Sequence, residues 1–107
     1  MAGRALVKVP SRARRGEVVT ITALAAHPME TGYRTDAAGR TVPRNIVERF
    51  SCRYDGVEVF AAELFPAVTA NPFLSFTTVA TESGELEFTW TDDRGETIRA
   101  SASIVVE

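Results

Sequence analysis

The chain has 107 residues, of which 45% are hydrophobic and 24% are charged, and its formal net charge is −2. This length suits one domain with a single core, residues 1–107, and the composition excludes disordered and fibrous classes of protein. No stretch contains the ~20 consecutive apolar residues that a membrane-spanning helix needs, so no membrane contact is predicted.

Seven segments with alternating apolar and polar residues, separated by turn residues, predict β-strands. The predicted strands are residues 6–9, 17–25, 47–54, 57–64, 73–80, 85–91 and 98–106. Asp55-Gly56 suits a tight turn with positive φ, and residues 92–95 are typical of a turn, so two hairpins are expected. No long helical pattern is present. The predicted fold class is therefore all-β, an immunoglobulin-like sandwich of about seven antiparallel strands.

The charges are unevenly distributed along the chain. Residues 1–53 contain ten Lys or Arg and four Asp or Glu, whereas residues 54–107 contain two and ten. The longest run of basic residues in residues 1–53 is Arg14-Arg15, and few aromatic residues lie among the basic ones. The pattern therefore favours a solvated surface, or a field that steers a protein partner, over nucleic-acid binding.

The connection from His27 to Pro43 is longer than most connections in compact domains. A connection of this length usually has a function or contains a hairpin of its own, here with Ala38-Gly39 at its tip. The residue types favour binding, since Met, Tyr and Arg are enriched in protein interfaces. The candidate partner-binding residues are His27, Met29, Glu30, Tyr33 and Arg34 in this connection and Asn71 and Phe73 at the start of a strand.

Two alternatives to partner binding remain for these segments. The loop side chains could pack on the protein itself, with Glu30 and Arg34, four residues apart, forming a local ion pair that only orders the loop. For residues 71–76, entry of the chain into the core is favoured over contact with a partner. Trp90, in register with Leu86 and Phe88, is predicted to be a core residue.

The chain lacks the residues that common catalytic and metal sites require. One histidine, His27, and one cysteine, Cys52, cannot supply the ligands of a zinc or iron site unless carboxylates complete the set. Cys52 lies between Phe50 and Tyr54 on the apolar face of a predicted strand, which favours a buried thiol. No catalytic residue, metal or cofactor is therefore predicted. The alternatives are a small thiol or metal enzyme that uses Cys52, of desulfoferrodoxin type, and a generic immunoglobulin-like interaction module.

The cysteine content and the N-terminal residues give a default expectation for the compartment. A single cysteine excludes an internal disulfide, and the first ten residues show no apolar core of signal-peptide length, so the default expectation is the cytoplasm.

Four segments, in order and at matching spacing, resemble those of the SoxZ family. They are HPMETG at residues 27–32, ANPFLSF at 70–76, ATESG at 80–84 and FTWTDD at 88–93. Each segment alone is a weak signal, but four together over one domain are specific. The similarity extends from about residue 7 to residue 106, nearly the whole chain.

The resemblance implies a function that the composition does not indicate. SoxZ is the small, non-catalytic subunit of the SoxYZ carrier of thiosulfate oxidation, and its obligate heterodimer partner SoxY binds sulfur intermediates covalently through a cysteine on a C-terminal arm. Other sulfur-oxidation enzymes dock transiently on the pair. The family works in the periplasm, and its small subunit is exported with the large one, so the resemblance replaces the cytoplasmic expectation.

Overall fold

The computed structural model describes residues 4–65 and 72–107, and within these ranges the protein consists of β-strands and their connections. The strands form two packed sheets, so the predicted all-β sandwich is confirmed. Nothing in residues 4–65 and 72–107 forms a helix long and apolar enough to cross a membrane. The strands are β1 Ala5–Lys8, β2 Arg12–Ala13, β3 Val18–Ala25, β4 Val47–Tyr54, β5 Val57–Glu63, β6 Phe73–Val79, β7 Gly84–Asp92 and β8 Thr97–Val106.

One sheet has three strands in the order β1-β3-β6, and the other has five in the order β2-β8-β7-β4-β5. All seven predicted strands are present with ends shifted by one residue at most, and the two predicted hairpins are β4–β5 and β7–β8. The sequence reasoning missed β2, which pairs in parallel with the end of β8. Two residues are too few to show a period, so no pattern could have indicated it.

The core lies between the two sheets and is built by the inward residues of the alternating strands. Trp90 is fully buried, as predicted, and its ring centroid lies 5.0 Å from that of Phe50 on the neighbouring strand β4. At the side of the sandwich formed by β5 and β6, the rings of Phe60 and Phe76 stack with centroids 4.3 Å apart. This stack joins the outermost strand of one sheet to the outermost strand of the other.

The course of the strands defines two ends of the sandwich. We call the end that carries residues 26–46 and the β7–β8 turn the loop end, and the end that carries the β4–β5 turn the opposite end. The β4–β5 turn has positive φ at both Asp55 (52°) and Gly56 (83°), as a type I′ hairpin turn requires. Residue 56 accommodates this conformation because glycine has no Cβ.

The Tyr54 hydroxyl group ties β4 to the β6–β7 connection at the opposite end. It accepts hydrogen bonds from the backbone N–H groups of Thr81 and Glu82, each at 3.3 Å, and donates one to the Glu82 carbonyl oxygen. The ring itself is buried. The arrangement is similar to the tyrosine corner of immunoglobulin-like sandwiches, in which a tyrosine hydroxyl group fixes a connection between strands.

Removing this hydroxyl group is expected to destabilise the protein. Tyr54→Phe should lower the free energy of unfolding by about 1–2 kcal/mol, because two backbone donors and one acceptor lose their shared partner. Urea denaturation followed by fluorescence measures the change. Tyr33→Phe is the matched control, since Tyr33 is 86% exposed and should change stability very little. Equal stability of the two variants would contradict a structural role for the Tyr54 hydroxyl group.

Candidate partner-binding surface

The long connection between β3 and β4 contains a hairpin of its own, which is one of the two possibilities that its length suggested. Its two limbs are joined at the base by Glu30 and Asn45, whose backbone N–H groups each donate to the other's carbonyl oxygen at 2.8 Å. Further along, Thr35 pairs with Thr41. We call residues 27–46 the long hairpin.

The tip of the long hairpin is a turn from residue 36 to residue 40. The Asp36 side chain accepts hydrogen bonds from the N–H groups of Ala38 and Arg40, at 2.9 and 3.0 Å. Gly39 has φ of 80°, a value that favours glycine. The predicted tip at Ala38-Gly39 is therefore confirmed, and the turn is held by its own side chain as is typical of aspartate in turns.

His27 and Met29 lie inside the protein at the base of the long hairpin, only 7% and 5% exposed. The His27 Nδ1 atom accepts a hydrogen bond from the Met29 N–H group at 3.0 Å, and the Met29 sulfur lies 3.2 Å from the Val47 N–H group. Met29 also has a positive φ of 51°, which is uncommon outside glycine and is retained where surrounding contacts enforce it. These two residues anchor the long hairpin to the core.

Glu30 and Arg34 form the local ion pair that the sequence left open as an alternative. The guanidinium group donates from Nη2 to Glu30 Oε1 at 2.6 Å and from Nε to Oε2 at 3.3 Å, a bidentate geometry. The hydrogen bond from Arg34 holds the pKa of Glu30 below its usual value, and the same bond raises the pKa of Arg34. The Arg34 side chain is still 60% exposed, so the pair orients it without covering it.

Tyr33 is the exposed large hydrophobic side chain of the long hairpin, with 86% of its surface accessible. Gly32 precedes it with φ of 91°, and a Cβ atom there would lie 3.2 Å from the Arg44 Cβ on the returning limb. Both constraints favour glycine at this position. Tyr33 therefore follows directly on a point where the two limbs of the long hairpin lie close together.

The returning limb is also held against the β7–β8 turn. Arg44 forms a salt bridge with Asp93 (Nε to Oδ2, 3.3 Å), and the Asp93 N–H group donates to the Ile46 carbonyl oxygen at 2.9 Å. The Arg94 guanidinium group reaches the Arg44 carbonyl oxygen at 3.4 Å. The base of the long hairpin is therefore braced by the neighbouring turn.

Phe73 lies at the loop end as well, on the outer face of the three-stranded sheet, and is 63% exposed. The structure thus brings Tyr33, Arg34 and Phe73 to the same end as exposed side chains. Asn71, the remaining candidate, lies outside the described residues. Sequence reasoning missed Leu6 and Leu24, which share the outer face with Phe73. The alternation that points Ile21, Ala23 and Ala25 inward could have indicated that Leu24 points outward.

Cys52 is buried, as predicted, with none of its surface exposed. It lies opposite Phe88 and Phe60 on the two strands that flank β4. Burial raises the pKa of its thiol to about 12, so the thiolate that nucleophilic chemistry needs is almost absent at neutral pH. Over residues 4–65 and 72–107, no group of three or more His, Cys, Asp and Glu side chains is placed to hold a metal ion.

The sequence matches the model of the family described as sulphur oxidation protein SoxZ over residues 7–103. No protein with a curated description matches it significantly.

Several solved structures share the fold. The superoxide reductase (neelaredoxin) from Ignicoccus hospitalis is 17% identical with a TM-score of 0.73, over 98% of this chain and 82% of that one. The sulfur carrier protein SoxY from Chlorobium limicola f thiosulfatophilum is 17% identical with a TM-score of 0.68, over 96% of this chain and 78% of that one. At such identities the similarity establishes the fold alone.

Proposed function

Because the chain belongs to the SoxZ family, we propose that it is the non-catalytic subunit of a SoxYZ-type sulfur carrier and forms an obligate heterodimer with a SoxY-family subunit. The observation that carries this proposal is the family match over residues 7–103, nearly the whole chain. In this division of labour, a cysteine on the partner's C-terminal arm binds the sulfur intermediates of thiosulfate oxidation covalently. The present chain stabilises the partner and helps to present the arm.

The environment of Cys52 supports the placement of the sulfur chemistry on the partner. A thiol that accepts and releases sulfur intermediates has to be reached by other enzymes and has to ionise. Cys52 is fully buried, and burial raises its pKa to about 12. Its role in this chain is then to fill the core between Phe50 and Tyr54, as a small apolar side chain does.

For partner contact, we propose the exposed side chains at the loop end: Tyr33 and Arg34 on the long hairpin, and Phe73 on the three-stranded sheet. Aromatic and arginine side chains contribute most to interface energies, and these three are largely uncovered. The other candidates on the long hairpin act indirectly. His27 and Met29 hold the base of the hairpin, and Glu30 orients the Arg34 guanidinium group. Asn71 precedes Phe73 by two residues and stays a candidate for the same surface.

The proposed complex works in the periplasm, as the SoxZ family does, and other sulfur-oxidation enzymes dock transiently on it. Arg34 has a specific role in this proposal. Its guanidinium group offers paired donors that suit the anionic thiosulfonate or sulfonate groups formed on the partner's arm. Glu30 already occupies those donors in the isolated chain, so an arm group would bind by replacing or sharing that carboxylate.

Purification of a tagged copy from its own host, grown on thiosulfate, tests the proposal. Intact mass spectrometry should find one copy of a second chain with a cysteine near its C-terminus, and part of that chain should carry added sulfur. The present chain should carry none. Recovery of this chain as a lone monomer would contradict the carrier function, and Cys52 would then have to be reconsidered as the reactive group.

Replacing exposed side chains of the long hairpin tests the proposed contact. Tyr33→Ala is expected to weaken binding of the SoxY-family partner about tenfold, which is about 1.4 kcal/mol. Arg34→Ala should slow turnover of the loaded carrier, whereas Arg40→Ala, also exposed on this hairpin, should leave it unchanged. Isothermal titration calorimetry measures the affinity of each variant for the partner, and an assay of carrier turnover measures the effect of Arg34→Ala and of its control. If Arg34→Ala changes neither the turnover of the carrier nor the affinity for the partner, Arg34 does not bind an anionic group of the arm.

A further inference from the structure

An apolar row crosses the outer face of the three-stranded sheet at the loop end. Leu6 on β1 is directly opposite Leu24 on β3, which is directly opposite Phe73 on β6. Leu6 is 72% exposed and Phe73 is 63% exposed. Strands lie about 4.8 Å apart, so the row is about 10 Å long, the span of three residues of extended chain.

Surface depressions lie on both sides of this row. The smaller has a volume of about 190 Å³ and is bordered by Lys8, Thr22 and the three residues of the row. The larger has a volume of about 560 Å³ and is bordered by Leu6, Leu24, Ala26 and the arginines Arg4 and Arg99. We call the row with its two depressions the sheet groove. It has an apolar floor along its centre and cationic side chains on both flanks.

The charge of the sheet groove has one sign only. Arg4, Lys8 and Arg99 line it, and no Asp or Glu does. In the described part of the chain, none of these three cations forms a salt bridge, and Arg99 also borders a neighbouring depression lined by Glu85 and Glu87. The chain as a whole is acidic, with a net charge of −2. The groove is therefore a local concentration of unpaired positive charge around an apolar floor, which is complementary to an acidic ligand with apolar side chains.

We infer that the sheet groove binds an extended, acidic segment of the partner subunit, an inference that rests on the proposed function because it requires such a partner. Apolar side chains of the segment pack on Leu6, Leu24 and Phe73. Its carboxylates face the cations on the flanks. A small anion would use the arginines alone and leave the apolar row exposed, whereas a peptide segment uses both features. Phe73 belongs both to the sheet groove and to the proposed contact, so the groove extends that contact from the long hairpin onto the sheet.

Affinity measurements with matched variants test the inference. Binding of the purified SoxY-family subunit is measured by calorimetry at low and at high NaCl concentration. Phe73→Ser should weaken binding about tenfold or more, and its control is Val79→Ser, on the same strand and face but at the opposite end. Arg4→Glu with Arg99→Glu should weaken binding at least as much, and a higher NaCl concentration should no longer weaken the binding of this variant, because the attraction has been replaced by repulsion. The control for this charge reversal is Arg14→Glu with Arg15→Glu, exposed at the opposite end.

The controls are expected to bind within about twofold of the unmodified chain, and melting temperatures within about 3 °C identify variants that remain folded. If the unmodified chain binds the partner and the groove variants bind equally well, the inference is wrong and Phe73 is not a contact residue, whereas the proposed carrier function stands. If the unmodified chain binds no SoxY-family subunit, the proposed function itself fails.

Cross-linking identifies the occupant. A photoreactive amino acid in place of Leu6 should cross-link to a partner segment with more acidic than basic residues, whereas the same label in place of Val18 should cross-link poorly. Attachment to a neutral or basic segment would overturn the inference. So would concentration-dependent dimerisation of this chain alone that Phe73→Ser abolishes, because the groove would then bind a second copy.

Discussion

Replacing Trp90 with alanine is expected to lower the free energy of unfolding by about 3–5 kcal/mol. The indole ring is completely buried, and it packs against Phe50 and Phe88 with centroid distances of 5.0 and 6.4 Å. Its removal leaves a cavity that neighbouring strands, held by backbone hydrogen bonds, cannot close. Since a domain of this size is stable by about 5–15 kcal/mol, the variant should lose a large part of its stability.

Chemical denaturation of the Trp90→Ala variant measures this effect, followed by circular dichroism because the only tryptophan is lost. Thr89→Ala is the control, since Thr89 is next in sequence but points to the outer face of the sheet and should change stability by less than about 1 kcal/mol. Trp90→Phe should lower the free energy of unfolding by less than Trp90→Ala does. The phenyl ring retains much of the volume and removes an indole N–H group that has no acceptor among the described residues. If Thr89→Ala and Trp90→Ala lowered the free energy of unfolding by similar amounts, the central position of Trp90 in the core would be contradicted.

The second large effect is the protection of Cys52 from alkylation. Thiolate is the reactive form, and burial raises the pKa of this thiol from 9.0 to about 12. At pH 8 the thiolate fraction of the folded protein is then about a thousandfold lower than that of an ordinary thiol, before steric protection is considered. Iodoacetamide should label the folded protein at least about a thousandfold more slowly than the protein in denaturant.

The pH dependence has a definite sign. A raised pKa means that the folded state favours the protonated thiol, so this group stabilises the fold fully below pH 9.0 and its contribution is lost as the pH rises towards 12. Labelling of the folded protein should therefore accelerate steadily above neutral pH, measured by mass spectrometry at several pH values.

Cys52→Ala should bind the partner normally and support carrier turnover. Rapid labelling at pH 7, with loss of turnover in Cys52→Ala, would instead indicate a catalytic thiol.

Local patterns predicted the scaffold well. The alternation of Leu86, Phe88 and Trp90 predicted β7 and its buried face, and Asp55-Gly56 predicted the turn between β4 and β5. Both signals depend only on neighbouring residues, because side chains of a strand alternate between its faces and tight turns require particular backbone conformations. The same reasoning placed Cys52 in the core.

The candidate site was less predictable because residue type does not reveal exposure in a loop. The sequence gives no reason to separate His27 and Met29 from Tyr33 and Arg34, yet the first two lie inside the protein and the last two are exposed. The buried residues make a contact far along the chain, since the Met29 sulfur lies against the Val47 N–H group, eighteen residues away. No periodic pattern in the loop indicates such a contact.

The sequence by itself determined the all-β fold class, the buried state of Cys52 and membership of the SoxZ family. Only the tertiary structure decided that Leu6, Leu24 and Phe73 form one row beside unpaired cations. These residues come from three strands, and the register between strands decides which side chains meet. Register depends on backbone hydrogen bonds between distant segments and on the burial of one whole face, so it becomes defined only when the complete sandwich forms.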